Sequence, residues 1–247
     1  MATKRSAPAP ATPRHGLARV MSKRGLASRT EAARWIAEGR VRVNGRLVRD
    51  PEFPVAQGFD AVAVDGRDLV PAARMVVMLN KPRGLVTTAR DDRGRATVYD
   101  CLEGSGLPWL APVGRLDKAS EGLLLFSNDP VWAARITSPV SGPDKTYHVQ
   151  IDGLPDDELP ARLERGARVD GEMLSAKSAI VLRRGAKHAW LELVLSEGRN
   201  RQIRRLLGAF GVSVRRLVRV AVGTLTLGGL PKASWRHLTP PEIAALD

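Results

Sequence analysis

The spacing of apolar positions along the chain changes several times, and each change predicts an element. Leu17, Val20 and Met21 stand at helical spacing, and Gly25 closes that segment. Ser28-Arg29-Thr30-Glu31 reads as a capping box that opens a second helix, which turns Ala32, Trp35 and Ile36 inward and stops at Gly39. The segment 41–48, VRVNGRLV, has apolar alternation on both sides of Asn44-Gly45. Both turn residues tolerate positive φ, so a tight hairpin is expected, with a further strand over Ala61–Val64.

Around Val70–Arg74 the pattern gives way to short, wholly apolar runs. MVVML (75–79) and the run Leu123–Phe126 predict strands buried on both faces. The second run is stopped by Asn128, Asp129 and Pro130, too soon for a helix. Asp129-Pro130 in turn starts a helix carrying Trp132, Ala133 and Ile136, which ends before Pro139. From Lys145 to Ile151 the chain alternates, with Tyr147, Val149 and Ile151 on one face and His148 and Gln150 on the other. A helix is expected over 157–165 and a strand over 189–195. In EGRNRQIRRLLGAFG (197–211), Ile203, Leu206, Leu207 and Phe210 define the apolar face of a helix that Gly211 terminates. Leu217-Val218 and TLTL (224–227) read as strands. NKPRG (80–84) reads as a Pro/Gly loop whose two cations suit an RNA backbone. The segment 87–106 reads as polar, with only Thr97–Asp100 ordered and with Arg90, Arg93 and Arg95 forming a flexible basic loop. Strands and helices do not alternate regularly, which argues for an α+β fold rather than a doubly wound sheet. There is no internal repeat.

Charge narrows the partners. The 247 residues include 39 Lys+Arg against 26 Asp+Glu, a formal charge of +13, which points to a polyanion. Residues 1–74 carry 14 Lys/Arg and 7 Asp/Glu, a net +7 (14 − 7), against 25 and 19, a net +6 (25 − 19), in the remaining 173, so the net positive charge per residue is more than twice as high in the first third. Lys23, Arg24, Arg29, Arg34, Arg40 and Arg42 are the candidates for phosphate contacts there. Residues 1–14 read as a disordered basic tail. No apolar stretch approaches the length of a spanning helix, no basic amphipathic segment suits a membrane surface, and no apolar block follows the early charges as in a signal peptide. The single cysteine, Cys101, fits a reducing cytoplasm and excludes both an internal disulfide and a multi-cysteine zinc site. The four histidines are scattered, so no metal is expected.

One stretch concentrates chemistry. GRLDKASEGLLLFSND (114–129) places Asp117 on a loop feeding a core strand, with Arg115 two residues before it and Glu121 four after. By spacing alone, an aspartate capping a turn is the commoner case. Between Gly198 and Gly223 there are seven arginines and no acid, and the helix start after Arg199 and Asn200 suits phosphate.

GRLDKASEGLLLFSND closely resembles the catalytic-aspartate motif of pseudouridine synthases, most of all the bacterial ribosomal-RNA type called the RsuA-like family. LNKPRG (79–84), KTYHV (145–149) and EGRNRQIRR (197–205) resemble further motifs of that family, in the same order. SKRGLASRTEAARWIAEGRVRVNG resembles the α-L RNA-binding domain shared with a small-subunit ribosomal protein. The resemblance implies an α+β chain with a tail (1–14), an α-L RNA-binding domain (15–72) and a pseudouridine synthase domain (73–247) built on a mixed, largely antiparallel sheet with flanking helices. It implies an isomerase in which Asp117 is catalytic, Tyr147 lies against the target base and Arg204 pairs with Asp117. Arg115, Leu116, Lys81, Lys145, Arg199, Arg201, Ile203 and Arg205 are the implied substrate contacts. The reaction needs no cofactor or metal, but the uridine must flip out of its stack. The expected partner is ribosomal RNA, with a leaning toward the large subunit, and the expected assembly is a cytoplasmic monomer. The alternatives are a small-subunit target, a transfer-RNA synthase, a non-catalytic ribosome assembly factor, and a retaining glycosidase using Asp117 and Glu121.

Overall fold

The change of hydrophobic period near residue 74 is also where the chain divides, between Ala73 and Arg74, into two units. The computed structural model describes residues 13–56, 60–69, 73–89 and 91–247. The expected tail lies outside the described residues up to residue 12, as does Arg90; at the tail's inner end Arg14 already belongs to a strand.

The first unit runs β1 (Arg14–Gly16), α1 (Leu17–Lys23), α2 (Arg29–Ala37), β2 (Val41–Val43), β3 (Arg46–Leu47), β4 (Pro54–Ala56), β5 (Val62–Val64) and β6 (Arg67–Asp68). β3-β2-β5-β6 form one antiparallel sheet and β1-β4 a second pair. Leu17, Val20 and Met21 of α1 and Ala32 and Ile36 of α2 share a dry core with Val41, Val43, Val55 and Val62. The hairpin forms because Asn44 and Gly45 sit at φ 49° and 78°. Only half of the expected capping box is made. Ser28 Oγ accepts from the Glu31 N–H at 3.1 Å, but the Glu31 carboxylate turns to Trp35 Nε1 (2.8 Å) and Arg34 (2.5 Å).

The second unit begins with β7 (Val76–Lys81), a 3₁₀ turn (Val98–Leu102), β8 (Ala111–Val113), β9 (Glu121–Ser127), α3 (Pro130–Thr137), β10 (Lys145–Asp152) and α4 (Leu159–Arg165). It continues with β11 (Ala167–Val169), β12 (Glu172–Leu174), β13 (Ser178–Arg184), β14 (His188–Leu195), α5 (Gln202–Ala209), β15 (Val214–Val222), β16 (Leu225–Thr226), β17 (Trp235–His237) and α6 (Pro240–Ala244). Its main sheet has the order β13-β14-β10-β15-β9-β7-β17, with β16 beside β15 and β8 beside β9. The β15–β9 pair is parallel and the other pairs are antiparallel, so the sheet is mixed and largely antiparallel.

β9 is buried along its whole length because both its faces are covered. Leu124 and Phe126 join the core with Val149, α4 and α5, whereas Leu123 and Leu125 pack with Trp132 and Ile136 of α3. That double burial is why the run shows no alternation. Gly122 makes the parallel junction possible. It sits at φ +101°, and a Cβ there would collide with the Arg219 carbonyl and lie 2.8 Å from the Arg219 nitrogen.

Three expectations change. β7 runs on through Asn80 and Lys81, so the NKPRG loop starts only at Pro82. The piece expected at Thr97–Asp100 is present and runs on to Leu102 as a 3₁₀ turn: Val86 bridges Thr97, Thr97 and Asp100 form a capping box, and Tyr99 stacks on Trp109 with ring centroids 5.0 Å apart. Arg95 is not free either, because Asp91 pairs with it at 2.5 Å and accepts from the N–H groups of Arg93 and Arg95. Among the described residues, no helix is long and apolar enough to cross a membrane.

Candidate active site

The loop from Leu116 to Ser120 is fixed by its carbonyls, all five of which are held. Thr87 Oγ1 donates to the Leu116 carbonyl (2.7 Å), and the Ser120 N–H donates to that of Asp117 (2.9 Å). The Gly84 N–H holds Lys118 O (2.8 Å) and an Arg204 Nη holds Ala119 O (3.3 Å). Lys81 Nζ reaches the carbonyls of Ser120 (2.9 Å), Asp117 (3.2 Å) and Pro82 (3.1 Å). Loop carbonyls usually face water. Here the chain spends two buried or half-buried cations on them, so the Asp117 carboxylate projects from a backbone that cannot drift.

That carboxylate lines a cavity of about 670 Å³. The cavity brings together Arg115, Leu116, Asp117, Lys145, Tyr147, Arg199, Arg201 and Ile203, all of which the sequence marks as site residues. Tyr147 projects from β10 on the same side as Lys145, as the strand's alternation requires. Among the described residues, no group hydrogen-bonds to its hydroxyl. The cavity also contains Asn200, named with Arg199 at the helix start suited to phosphate, and Gln202 and Arg219, which the sequence did not mark. Gln202 props the α5 end of the site, accepting from the Arg199 N–H (3.1 Å) and donating to Ser175 O (3.1 Å). Arg219 gave little signal: in VRRLVRVAV it stands in phase with Arg215 as well as Leu217 and Ala221, while the other phase is the more apolar one. A second cavity, of about 400 Å³, meets the first at Arg115, Leu116, Asp117 and Asn200.

Three of the marked residues lie elsewhere. Lys81 has no exposed surface and stands beneath the loop, so it is not available to an RNA backbone; strand β7 carries it inside. Arg204 forms no ion pair with Asp117. Its guanidinium donates to Val214 O (3.1 Å) and Ala119 O (3.3 Å), and its Nε is buried without a partner. Arg205 turns away to Glu172 (2.7 Å) and Asp170 (3.2 Å). The acids missing between Gly198 and Gly223 come from other elements, since Glu197 also meets Arg199, Asp152 meets Arg215 and Glu121 meets Arg216.

The charges around Asp117 act on one another. Burial pushes the Lys81 ammonium down to about 8, with the Asp117 charge pulling it back up. Burial and then Arg201 lower Arg204, and Asp117 again opposes them. Glu121 differs. Its carboxylate is clamped by Arg216 (2.8 and 3.0 Å) and Lys232 (2.6 Å), and the Arg216 hydrogen bonds above all pull it down to about 2. A retaining glycosidase needs its second carboxyl protonated as the acid. Glu121 is held ionised and outside the cavity that Asp117 lines, which removes that alternative.

In the first unit, Arg34 is paired with Glu31 and Glu38, Arg40 with Asp65 and Glu38, and Arg24 is buried. Lys23, Arg29 and Arg42 remain without an acidic partner among the described residues. Arg42 only donates to the Gly45 carbonyl across its own turn (2.9 Å).

A carboxylate on an anchored loop, sharing a cavity with an aromatic ring and several cations in a chain that also carries a separate basic module, fits an enzyme working on a nucleotide within RNA. Comparison with known proteins gives the family. Residues 75–209 match RNA pseudouridylate synthase and residues 16–59 match the S4 domain. The chain is 37% identical over 93% of its length to a protein of Bacillus subtilis (strain 168) named ribosomal large subunit pseudouridine synthase B, covering 94% of that relative. It is 38% identical to an uncharacterised RNA pseudouridine synthase of Mycobacterium leprae (strain TN), over 93% of this chain and 91% of that one. A crystal structure of a pseudouridylate synthase superposes with a TM-score of 0.66 at 29% identity, covering 95% of this chain and all of that one. The chain belongs to the RNA pseudouridylate synthase family, with an S4 domain ahead of the synthase fold, and is an isomerase that makes pseudouridine.

Proposed function

We propose that this pseudouridine synthase acts on a uridine of large-subunit ribosomal RNA, with Asp117 as its catalytic carboxylate. The observation that carries the assignment of Asp117 is its placement. A loop with five anchored carbonyls presents it to the cavity that also holds Tyr147. The large-subunit target is supported by the Bacillus subtilis relative, whose name carries that substrate.

The reaction breaks the bond between N1 of uracil and C1′ of ribose, turns the base, and joins C1′ to C5. C5 gives up its proton and N1 gains one, so nothing is oxidised or consumed. Asp117 acts on the ribose, either by attacking C1′ or by removing the C2′ proton on the way to a glycal, and both routes need a free carboxylate oxygen at the sugar. A uridine inside a helix cannot reach this loop, so it flips into the cavity. The ring of Tyr147 stacks on the base, and Leu116 and Ile203 supply apolar walls that hold the uracil while it is detached. Lys81 and Arg204 work through the backbone as positioning residues. Arg115, Arg199 and Arg201 at the rim take phosphates, and Lys23, Arg29 and Arg42 add sequence-independent attraction from the S4 domain. The enzyme works as a monomer in the cytoplasm, where ribosomal RNA is its substrate.

The test is to map pseudouridines in ribosomal RNA from cells with and without this gene. Loss of a large-subunit pseudouridine, restored by the parent chain, supports the target. Loss confined to the small subunit or to transfer RNA overturns it.

A further inference from the structure

The far wall of the cavity holds two cations that the reaction as described does not use. Lys145 opens β10 and is 9% exposed; Arg219, on the neighbouring β15, is 6% exposed. β10 and β15 pair, which sets the two side chains on the same side of the sheet and into the same cavity. Lys145 has no hydrogen bond or ion pair to any described residue. Arg219 spends its Nε on the Leu123 carbonyl (2.7 Å), which fixes the guanidinium and leaves both Nη groups free to donate. The nearest acid in sequence, Asp144, is taken by Lys177 at 2.6 Å. The other acid in the cavity besides Asp117 is Glu197, which is paired with Arg199 at 2.9 Å.

A lysine buried without a partner beside a buried arginine is an arrangement that folding alone disfavours. Burial lowers the Lys145 pKa, and repulsion from Arg219 lowers it further. The Asp144 charge opposes this only in part, and no side chain among the described residues pairs with Lys145, so a bound anion would complete the relief.

We infer that Lys145 and Arg219 form an anion site for one phosphodiester of the RNA strand, the one adjoining the uridine held over Tyr147. The inference rests on the isomerase reading and adds a definite role for two residues within it. A phosphate there would satisfy the lysine and the free Nη groups together, in a charge-assisted set closed off from water. It would grip the strand beside the flipped nucleotide while the base itself is free to turn. An uncharged uracil carbonyl at the same place would satisfy a hydrogen bond but not the paired charges.

The test uses the full chain with uridine, uridine 5′-monophosphate and uridine 3′-monophosphate as probes, followed by calorimetry or ligand-observed NMR at low and high salt. One monophosphate should bind about tenfold more tightly than the nucleoside. Which one it is tells the side of the phosphate. That advantage should shrink with salt and disappear in Lys145→Met. Lys145→Met should also melt at a higher temperature than the parent, because an unpaired buried cation has gone. Equal binding of all three probes overturns the inference, including when all lie at the detection limit. So does a Lys145→Met variant that keeps the phosphate preference, or one that melts lower and so shows the lysine to be structural. None of these results touches the isomerase reading, which pseudouridine yield tests separately.

Discussion

Lys81→Met is the perturbation that most directly probes how the Asp117 loop is held. Methionine keeps the length and apolar stem of lysine but donates nothing. The Ser120 and Pro82 carbonyls lose the Lys81 contact, while that of Asp117 keeps the Ser120 N–H. Each orphaned carbonyl costs roughly 1–3 kcal/mol, and relief from burying an ammonium offsets part of it, so the net loss should be about 2 kcal/mol. In a unit of this size that lowers the melting temperature by roughly 4–8 °C. The larger effect should be on catalysis. A loop freed to shift by about 1 Å would misplace the carboxylate and reduce kcat by about 10²-fold, with RNA affinity little changed, since Lys81 has no exposed surface.

The pH dependence has a definite sign. Burial holds Lys81 at about 8, below the usual 10.5, so between those values the unfolded chain carries more protons than the folded one. Stability from this group should therefore rise with pH across that window, and below it the burial cost is present in full. Activity should move the opposite way and fall above about pH 8, as the neutral amine loosens its grip on the carbonyls. Both trends should be missing in Lys81→Met. The assay is single-turnover pseudouridine formation from pH 6 to 10 beside melting curves. A variant with parental kcat and melting temperature would refute the positioning argument.

Two further outcomes are expected. Tyr147→Phe should fold and bind RNA like the parent and keep part of its activity, because the hydroxyl has no partner among the described residues; Tyr147→Ala should lose far more activity with the ring. Equal activity of the Ala variant and the parent would place Tyr147 outside the reaction. Gly122→Ala should destabilise the synthase unit by at least about 3 kcal/mol, from a positive φ combined with a collision against the β15 backbone; an unchanged denaturation midpoint would contradict the close approach of β9 and β15.

What could be read from sequence was whatever a local pattern encodes. The double burial of β9, the alternation of β10 and the helical face of α5 each leave a period in the chain, and the structure has those elements. β11 and β12 are three residues each, too short for a period to show. β13 was missed because it turns Ile180 and Leu182 outward, inverting the expected polarity. Lys81 looked like a loop cation because Pro82 and Gly84 follow it, and nothing local says that a lysine ends a buried strand. The partners of Arg204, Arg205, Arg215 and Arg216 lie roughly 10 to 95 residues away, beyond any local rule. Lys145 was a legible exception, a cation in the apolar phase of β10, where a charge is expensive unless something binds it; Arg219 was not, because it shares its phase with the exposed Arg215.

The central claim is that Asp117 carries the chemistry, and Asp117→Asn tests it most directly. Asparagine is nearly isosteric, and the contacts that fix the loop run through backbone carbonyls, so the fold and the melting temperature should be retained. RNA affinity should hold or rise slightly as repulsion from phosphate is eased. Without a carboxylate at the ribose, pseudouridine yield on large-subunit ribosomal RNA should fall below detection over many parental turnovers. A folded, RNA-binding variant that still makes pseudouridine at a near-parental rate would contradict the account.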